Sequence, residues 1–291
     1  MKTVYFYTLN LSVILYGLAG VIGKVVPFSP FQIVVSRTFV AALFLFVINL
    51  IIKADKILDK NLLFKTFFPG WTLALHWYFF FLSVKTSSVA IALITYSTFP
   101  IFVMLIKRIL YQTAYSRLAF LSILLVITGI VILVSKSGIE KATLEGVTTG
   151  VFSGFLFAIL AVINEKLVQI YNSMLITFYE NLQAFILSLI FGFLLFYSGG
   201  NFSLSLSLPD ILLIIFLGVF CTAVAHALFV FSMKKVDSAI ASIIACMEPV
   251  YGIAFSIVLI GKMLTWNEIA GGIIIISAAV MAVKSINSKP T

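Results

Sequence analysis

The stretch FQIVVSRTFVAALFLFVINLII, residues 31–52, carries a single charged side chain, Arg37, among 22 residues. As an α-helix with a rise of about 1.5 Å per residue, the stretch is long enough to cross a hydrocarbon core of roughly 30 Å. Backbone polar groups in lipid must be satisfied within the segment, and a helix does this. The stretch therefore predicts a transmembrane helix.

Nine further apolar segments fill most of the chain: 5–23, 66–84, 88–106, 117–135, 146–164, 173–197, 209–232, 238–260 and 268–284. Charged residues make up only 10% of the sequence, against about 25% in soluble proteins. The segments are too long for barrel strands and do not alternate polar with apolar residues. The sequence predicts an all-α integral membrane protein with ten transmembrane helices.

The basic residues indicate an orientation in the membrane. The formal net charge is +9, which in a soluble protein would suggest nucleic acid, but here the positive-inside rule explains it better. With a cytoplasmic N-terminus, 13 Lys and Arg residues fall inside and 5 outside, and Arg37 lies within a segment. Both termini are therefore predicted to be cytoplasmic, and no nucleic acid partner is expected.

The two halves of the chain echo each other. His76 matches His226 at an offset of 150 residues, and Pro100 matches Pro249 at an offset of 149. Both residue types are scarce in this sequence, so these matches carry more weight than matches between apolar residues. The polar stretch near the midpoint separates two repeats, predicted as residues 1–137 and 138–291.

Five segments per repeat imply that the second repeat enters the membrane from the opposite side. Arg37 and Glu180, at an offset of 143, lie in the second segment of each repeat. Inverted repeats of this kind are typical of secondary transporters, which bind substrate near the midplane between the repeats. The sequence therefore predicts alternating access around a central cavity.

The chain resembles the EamA-type family of the drug/metabolite transporter superfamily. The residues that carry the resemblance are AIASIIACMEPV at 239–250, the weaker AIALITYSTFPI at 90–101 and Asn164-Glu165-Lys166. The family often ends its fourth and ninth spans with Gly-Glu, whereas this chain has Leu110-Tyr111-Gln112 and Gly261-Lys262. The resemblance implies export, or less often uptake, of small metabolites such as amino acids, in some members coupled to protons.

Three charges within spans are functional candidates, because a charge at a helix centre costs about 2.5–3.5 kcal/mol on insertion scales. Arg37 could bind a substrate carboxylate through two hydrogen bonds, or could be a structural arginine in an ion pair or capping carbonyls. Glu248 could carry a coupling proton, or could be a neutral acid that locks a helix contact. Glu180 is the third candidate for the cavity.

His76 and His226 could relay protons or contact substrate, or each could bond to a neighbouring helix. They have too few partner ligands for a metal site, and no metal or other cofactor is predicted. The aromatic candidates for lining the cavity are Tyr16, Trp77, Tyr78 and Tyr96, which combine a flat face with a polar tip.

Pro100 and Pro249 are predicted to kink the fourth and ninth spans and to form a gate, with a plain structural kink as the alternative. Gly146, Gly150 and Gly154 place small residues on one face of the sixth span. Such a face permits close helix packing. We expect it to pack within the chain, with a dimer interface as the alternative.

These features predict a secondary transporter that exports small metabolites, such as amino acids or their derivatives, from a bacterial cell across its inner membrane. Its expected partners are a small-molecule substrate, the lipid bilayer and coupling protons, and it is expected to be a monomer or weak dimer. No catalytic residues are predicted, and no Walker A loop is present to bind ATP. The alternative is an integral-membrane enzyme acting on lipid or isoprenoid substrates, which would need a catalytic cluster at one interface.

Overall fold

The computed structural model describes residues 2–53, 57–112, 117–134, 141–197, 207–261 and 263–287, and the secondary structure of these residues is helical. The helices of the first half are α1 (Lys2–Val25), α2 (Pro30–Ile51), α3 (Lys60–Lys65), α4 (Phe67–Thr86), α5 (Val89–Tyr96), α6 (Phe99–Tyr111) and α7 (Arg117–Val134). The helices of the second half are α8 (Lys141–Leu167), α9 (Ser173–Tyr197), α10 (Leu208–Gly218), α11 (Ala225–Ser232), α12 (Ser238–Ala245), α13 (Glu248–Ile260) and α14 (Trp266–Asn287). A π-helical turn, Val219–Val224, joins α10 to α11.

Eight helical segments of 20 to 25 residues in the described ranges are long and apolar enough to cross a membrane: Thr3–Val25, Pro30–Ile51, Phe67–Thr86, Val89–Tyr111, Leu144–Leu167, Ser173–Gly192, Leu208–Ser232 and Ser238–Ile260. The fifth and tenth predicted spans correspond to α7 and α14, which pack against each other. The count of ten spans and the orientation of the termini stay predictions. The predicted boundary between residues 137 and 138 lies outside the described residues.

Several helices begin at residues that satisfy the free N–H groups of a first turn. Before α2, the Ser29 hydroxyl accepts from the Gln32 backbone N–H at 3.3 Å, and the Gln32 side chain accepts from the Ser29 N–H at 2.8 Å. Ser207 and Asp210 form the same reciprocal arrangement at α10. Local sequence therefore sets where these spans begin.

The fourth and ninth spans are broken, where the sequence predicted kinks in continuous helices. Pro100 is the second residue of α6 and Pro249 the second residue of α13. Proline lacks the N–H that a helix interior needs, but the first turn of a helix leaves its N–H groups without intrahelical partners. In each span, therefore, one helix ends before the proline and a second helix begins there. The structure thus has a break where the sequence predicted a kink.

Gly70 allows α4 to approach α9 closely. A Cβ at Gly70 would lie 2.7 Å from the Cβ of Gln183 and 3.0 Å from the carbonyl oxygen of Glu180. These distances are shorter than ordinary van der Waals contacts. Only glycine fits this crossing without a shift of the helices.

Gly218 makes the same kind of contact between α10 and α2. A Cβ there would lie 2.5 Å from the Cβ of Val40 and 3.1 Å from the carbonyl oxygen of Arg37. Val40 precedes Gln183 by 143 residues, the offset that also relates Arg37 to Glu180. The contact therefore recurs with the two halves of the chain exchanged.

The glycine row on α8 packs against the first half of the same chain. A Cβ at Gly154 would lie 2.7 Å from the carbonyl oxygen of Tyr96, the last residue of α5. A Cβ at Gly150 would clash with the Thr95 hydroxyl, and one at Gly146 with the side chain of Ser87. This face therefore packs inside the protein and brings α8 against the break between α5 and α6.

Candidate functional site

A small cavity, with a volume of about 20 Å³, lies between helices of both halves. The residues that line it are Tyr16, Ala19, Arg37, Leu73, His76, Trp77, Phe80, Tyr96, Phe157, His226 and Glu248. Seven of them are candidates from the sequence, contributed by α1, α2, α4, α5, α11 and α13. The structure thus brings together side chains that are far apart in sequence.

Two of the sequence candidates do not line this cavity. Tyr78 is half-buried and packs edge-on against Phe79, with ring centroids 5.3 Å apart. It follows Trp77 in α4, and successive residues of a helix point about 100° apart. Glu180 is fully buried and contacts the cavity indirectly, through His226.

The cavity is closed in this conformation. The exposed fraction is 1% for Arg37, 4% for Glu248 and 5% for His76. Because solvent barely reaches these side chains, a solute could enter only after helices move apart.

Arg37 is anchored on the π-helical turn and on an aromatic ring. Its Nε donates to the Thr222 hydroxyl at 2.8 Å, and Nη2 donates to the Cys221 carbonyl at 3.1 Å. Its Cζ lies 4.0 Å from the centroid of the Trp77 ring. The Thr222 hydroxyl in turn donates to the Leu217 carbonyl at 2.7 Å. Such turns inside α-helices are frequent at functional sites.

The guanidinium of Arg37 has capacity left for a ligand. It has five N–H donors, and two of them are used in the contacts with Thr222 and Cys221. Among the described residues, no carboxylate lies within 4.0 Å of it. The sequence left open that Arg37 is a structural arginine whose donors cap carbonyl groups. The contacts match this alternative only in part, because they leave three donors available.

Glu248 is the first residue of α13, directly after the break in the ninth span. A helix N-terminus favours a negative charge. Within the described ranges, Oε2 of Glu248 is buried without a hydrogen-bond partner. A neutral acid that locks a helix contact would donate a hydrogen bond across that contact, and the structure gives no such bond for this oxygen.

His226 connects Glu180 to the cavity. Its Nε2 lies 2.7 Å from Oε2 of Glu180, and its Nδ1 lies 3.2 Å from the Tyr16 hydroxyl. Asn164 donates from Nδ2 to the same Glu180 oxygen at 3.4 Å. The chain of hydrogen bonds crosses α8, α9, α11 and α1.

His76 makes a simpler contact from α4 to α8. Its Nδ1 lies 2.9 Å from the Ser153 hydroxyl and 3.0 Å from the Ser153 carbonyl oxygen, and that hydroxyl donates to the His76 carbonyl at 3.0 Å. This is the hydrogen bond to a neighbouring helix that the sequence left open as an alternative. The two histidines therefore occupy different environments.

The family model of the EamA-like transporter family matches residues 5–135 and 144–284. The chain belongs to the EamA-like transporter family. This confirms the resemblance read from the sequence, and the family lies within the drug/metabolite transporter superfamily. Together with the apolar helices, it identifies a multi-pass membrane protein of a transporter family.

Two curated bacterial proteins are similar to this EamA-like chain. One, the "Uncharacterized transporter YxxF" of Bacillus subtilis (strain 168), is 25% identical over 260 residues, covering 86% of this chain and 80% of its own length. The other, an "Uncharacterized transporter" of Clostridium kluyveri, is 19% identical over 296 residues, covering 97% and 93%. A solved crystal structure shares the fold, with a TM-score of 0.70 at 15% identity over 97% of this chain and 98% of that one.

The cavity of this EamA-like protein also includes four residues that the sequence analysis missed: Ala19, Leu73, Phe80 and Phe157. The spacing on α4 contained a signal for two of them, because residues three and four apart share a helix face. Leu73 and Phe80 flank His76 and Trp77 at that spacing.

A polar network holds one end of the bundle together in the EamA-like fold. Nζ of Lys107, near the end of α6, lies 3.0 Å from Oε2 of Glu165 on α8 and 2.6 Å from Oδ2 of Asp237 before α12. Ser238 also donates to Oε2 of Glu165 at 2.5 Å. The network links three helices from both halves.

At the opposite end, two lysines cap each other's helices. Nζ of Lys24, on α1, donates to the carbonyl oxygens of Val84 at 2.8 Å and Ser87 at 3.0 Å, at the end of α4. Nζ of Lys85 donates to the carbonyl of Val26 at 2.5 Å, after α1. Positive charges at helix C-termini are stabilising, so these contacts hold α1 and α4 together.

Proposed function

We propose that the chain is a secondary transporter that exports small metabolites, such as amino acids or their derivatives, by alternating access around the central cavity. One observation carries this proposal. Arg37 and Glu248, a basic and an acidic side chain, line the same closed cavity and are not paired with each other within 4.0 Å. A zwitterion could place its carboxylate on Arg37 and its ammonium on Glu248.

The apolar part of the same cavity lining suits an organic solute. Trp77 and Tyr96 belong to the lining, together with Phe80 and Phe157. Aromatic faces bind apolar side chains and also attract cations. A site with few polar groups and an apolar wall is typical of small-molecule binding.

We propose that residues 1–137 and 138–291 form two five-helix repeats of opposite orientation, with ten spans and cytoplasmic termini. The exchanged contacts of Gly70 and Gly218 support this arrangement. So does the family match, which falls on 5–135 and again on 144–284. An odd number of spans per repeat reverses the second repeat in the membrane.

The broken fourth and ninth spans are the proposed gate elements. Tyr96 ends α5 and Glu248 begins α13, so both breaks reach the cavity. Discontinuous helices at the midplane are a recurring feature of secondary transporters. A shift at either break would move a cavity residue directly.

The proposed location is the bacterial inner membrane, where the protein acts as a monomer or weak dimer with protons as coupling ions. Both curated relatives are bacterial, which supports the location. The glycine row on α8 is used inside the chain and is not available for a dimer.

A transport screen tests this proposal. Purified protein in proteoliposomes would be offered labelled amino acids, nucleosides and small organic cations, with and without a pH gradient. We expect uptake of at least one amino acid above protein-free liposomes. If no solute crosses, while a thermal unfolding transition shows that the protein is folded, the proposal is contradicted. Conversion of added lipid or isoprenoid would favour the enzyme alternative.

A further inference from the structure

Three side chains form a continuous path from the interior of α9 to the cavity. We propose that Glu180 and His226 together hold the proton that couples transport to a pH gradient, and that Tyr16 passes this proton to the cavity. The inference rests on the proposed transport function and adds the residues that carry its coupling ion.

The geometry of the path suits proton transfer. Both hydrogen bonds at His226 are within range, at 2.7 Å to Glu180 and 3.2 Å to Tyr16. Glu180 is 0% exposed and His226 is 1% exposed. Oε1 of Glu180 has no hydrogen-bond partner among the described residues. An isolated buried carboxylate is strongly disfavoured, and a shared proton cancels its charge.

The proton balance can be written atom by atom. In the loaded state, His226 is an imidazolium whose Nε2–H donates to the Glu180 carboxylate and whose Nδ1–H donates to the Tyr16 oxygen. On release, Nδ1 gives its proton to the Tyr16 oxygen, while the Tyr16 hydroxyl gives its own proton to an acceptor in the cavity. That acceptor is the Glu248 carboxylate or a water molecule. His226 remains a neutral imidazole, and no other bond changes.

The surroundings of His226 contain further charged and titratable groups. Those that share the cavity lining with His226 are Tyr16 on α1, Arg37 on α2, His76 on α4, Tyr96 on α5 and Glu248 on α13, and Glu180 contacts it from α9. From α8 comes the neutral amide of Asn164. The positive charge of Arg37 disfavours the extra proton on the Glu180–His226 pair, and the carboxylates of Glu180 and Glu248 favour it.

The first half contains a comparison site without these properties. His76 corresponds to His226, and it makes its contact from α4 to α8 as His226 does from α11 to α1. Its partner is the neutral Ser153, and the residue that corresponds to Glu180 is Arg37. Among the described residues, His76 has no carboxylate within 4.0 Å, whereas His226 contacts Glu180, so we assign the proton to the second half alone.

Magnetic resonance of the histidine rings tests the proton site without any substrate. The chain has two histidines, so isotope-labelled rings in detergent-solubilised protein give two sets of signals. The set that disappears in His76→Gln belongs to His76, and the remaining set belongs to His226. We expect the signals of the wild-type His226 ring to show a proton on both nitrogens at mildly acidic pH. In Glu180→Gln it should stay neutral at the pH where the wild-type ring is charged. A His226 ring that stays neutral throughout, in folded protein, would overturn the proposal.

A transport arm tests coupling with radiolabelled L-amino acids in proteoliposomes. His226→Gln should lose at least tenfold of the accumulation driven by a pH gradient. Glu180→Gln, a change outside the cavity lining, should show the same loss while keeping exchange at equal pH. His76→Gln should keep the ratio of the two rates, and Tyr16→Phe should slow accumulation while His226 still becomes charged. Unchanged accumulation in His226→Gln would overturn the proposal. If His226 takes up a proton but no solute crosses in any protein, the transport function fails and the proton site stands.

Discussion

The Sγ atom of Cys246 lies 4.0 Å from the carbonyl oxygen of Ser97, so the breaks in the ninth and fourth spans touch each other. The two residues are 149 positions apart, the offset that also relates Pro100 to Pro249. In the proposed inverted repeats, equivalent positions meet only close to the axis that would relate the two repeats. A movement at this contact therefore reaches both halves and the cavity beside it.

Gly154→Ala is expected to disturb the break in the fourth span. Its new Cβ would lie 2.7 Å from the Tyr96 carbonyl oxygen, a backbone atom that cannot rotate away. We expect a loss of about 1–3 kcal/mol in unfolding free energy, measured by thermal or denaturant unfolding in detergent. The control is Gly20→Ala, whose Cβ would make ordinary contacts with the far end of the Phe80 ring, at 3.4 Å, and with Cγ1 of Val89, at 3.5 Å. Equal stability of the two variants would contradict the close packing of α8.

Arg37→Lys keeps the positive charge but removes the planar group that can bind a carboxylate through two bonds. We expect KM for an amino acid substrate to rise about tenfold or more, since charged hydrogen bonds contribute roughly 1.5–3 kcal/mol. Thr222→Val should also raise KM, because it removes the acceptor of the Nε bond. Thr222→Ser keeps the hydroxyl and serves as its control. An unchanged KM in Arg37→Lys would remove Arg37 from the binding site.

Glu248→Gln conserves shape but removes both the negative charge and the exchangeable proton. We expect weaker binding of substrates that carry an ammonium group and a weaker pH dependence of their transport, measured as initial rates across a pH series. Glu145→Gln, the same change at an exposed position of α8, is the control. An unaltered pH profile in Glu248→Gln would exclude Glu248 from coupling.

Lys107 and Glu165 are expected to be energetically coupled. The lysine side chain is only 11% exposed and the glutamate side chain 16%, so solvent screens the pair less than a surface pair. A double-mutant cycle of Lys107→Met and Glu165→Gln should give a coupling of about 1 kcal/mol in unfolding free energy. A second cycle, which combines Glu165→Gln with Lys60→Met on α3, should be additive. Additivity in both cycles would show that the network does not hold this end of the bundle together.

The apolar segments predicted the helices well, because hydrophobic length is a strong signal for a membrane span. The broken spans were less predictable. Pro100 indicated an irregularity, but whether a proline bends a helix or starts a new one depends on the neighbouring helices. Here the glycine face of α8 leaves room for the break, through the contact between Gly154 and Tyr96.

Seven of the nine candidates meet at the cavity because polar side chains are scarce in this chain and the interior collects them. Residue type could not show that Trp77 lines the cavity and Tyr78 does not. The two side chains differ only in the direction in which they leave the helix. The π-helical turn and the role of Thr222 had no signal in the sequence. A hydroxyl in an apolar segment usually bonds to its own helix, and only the fold brings Arg37 against it.

Counterflow in proteoliposomes tests the central claim of alternating access most directly. Vesicles that contain purified protein and unlabelled amino acid would be diluted into the same labelled amino acid at trace concentration. We predict that internal unlabelled substrate accelerates uptake of the label and drives its transient accumulation in wild type and in Tyr78→Phe, and that Arg37→Lys reduces both. Uptake that does not depend on internal substrate, or no uptake by folded protein, would contradict a carrier with one cavity opening alternately to each side.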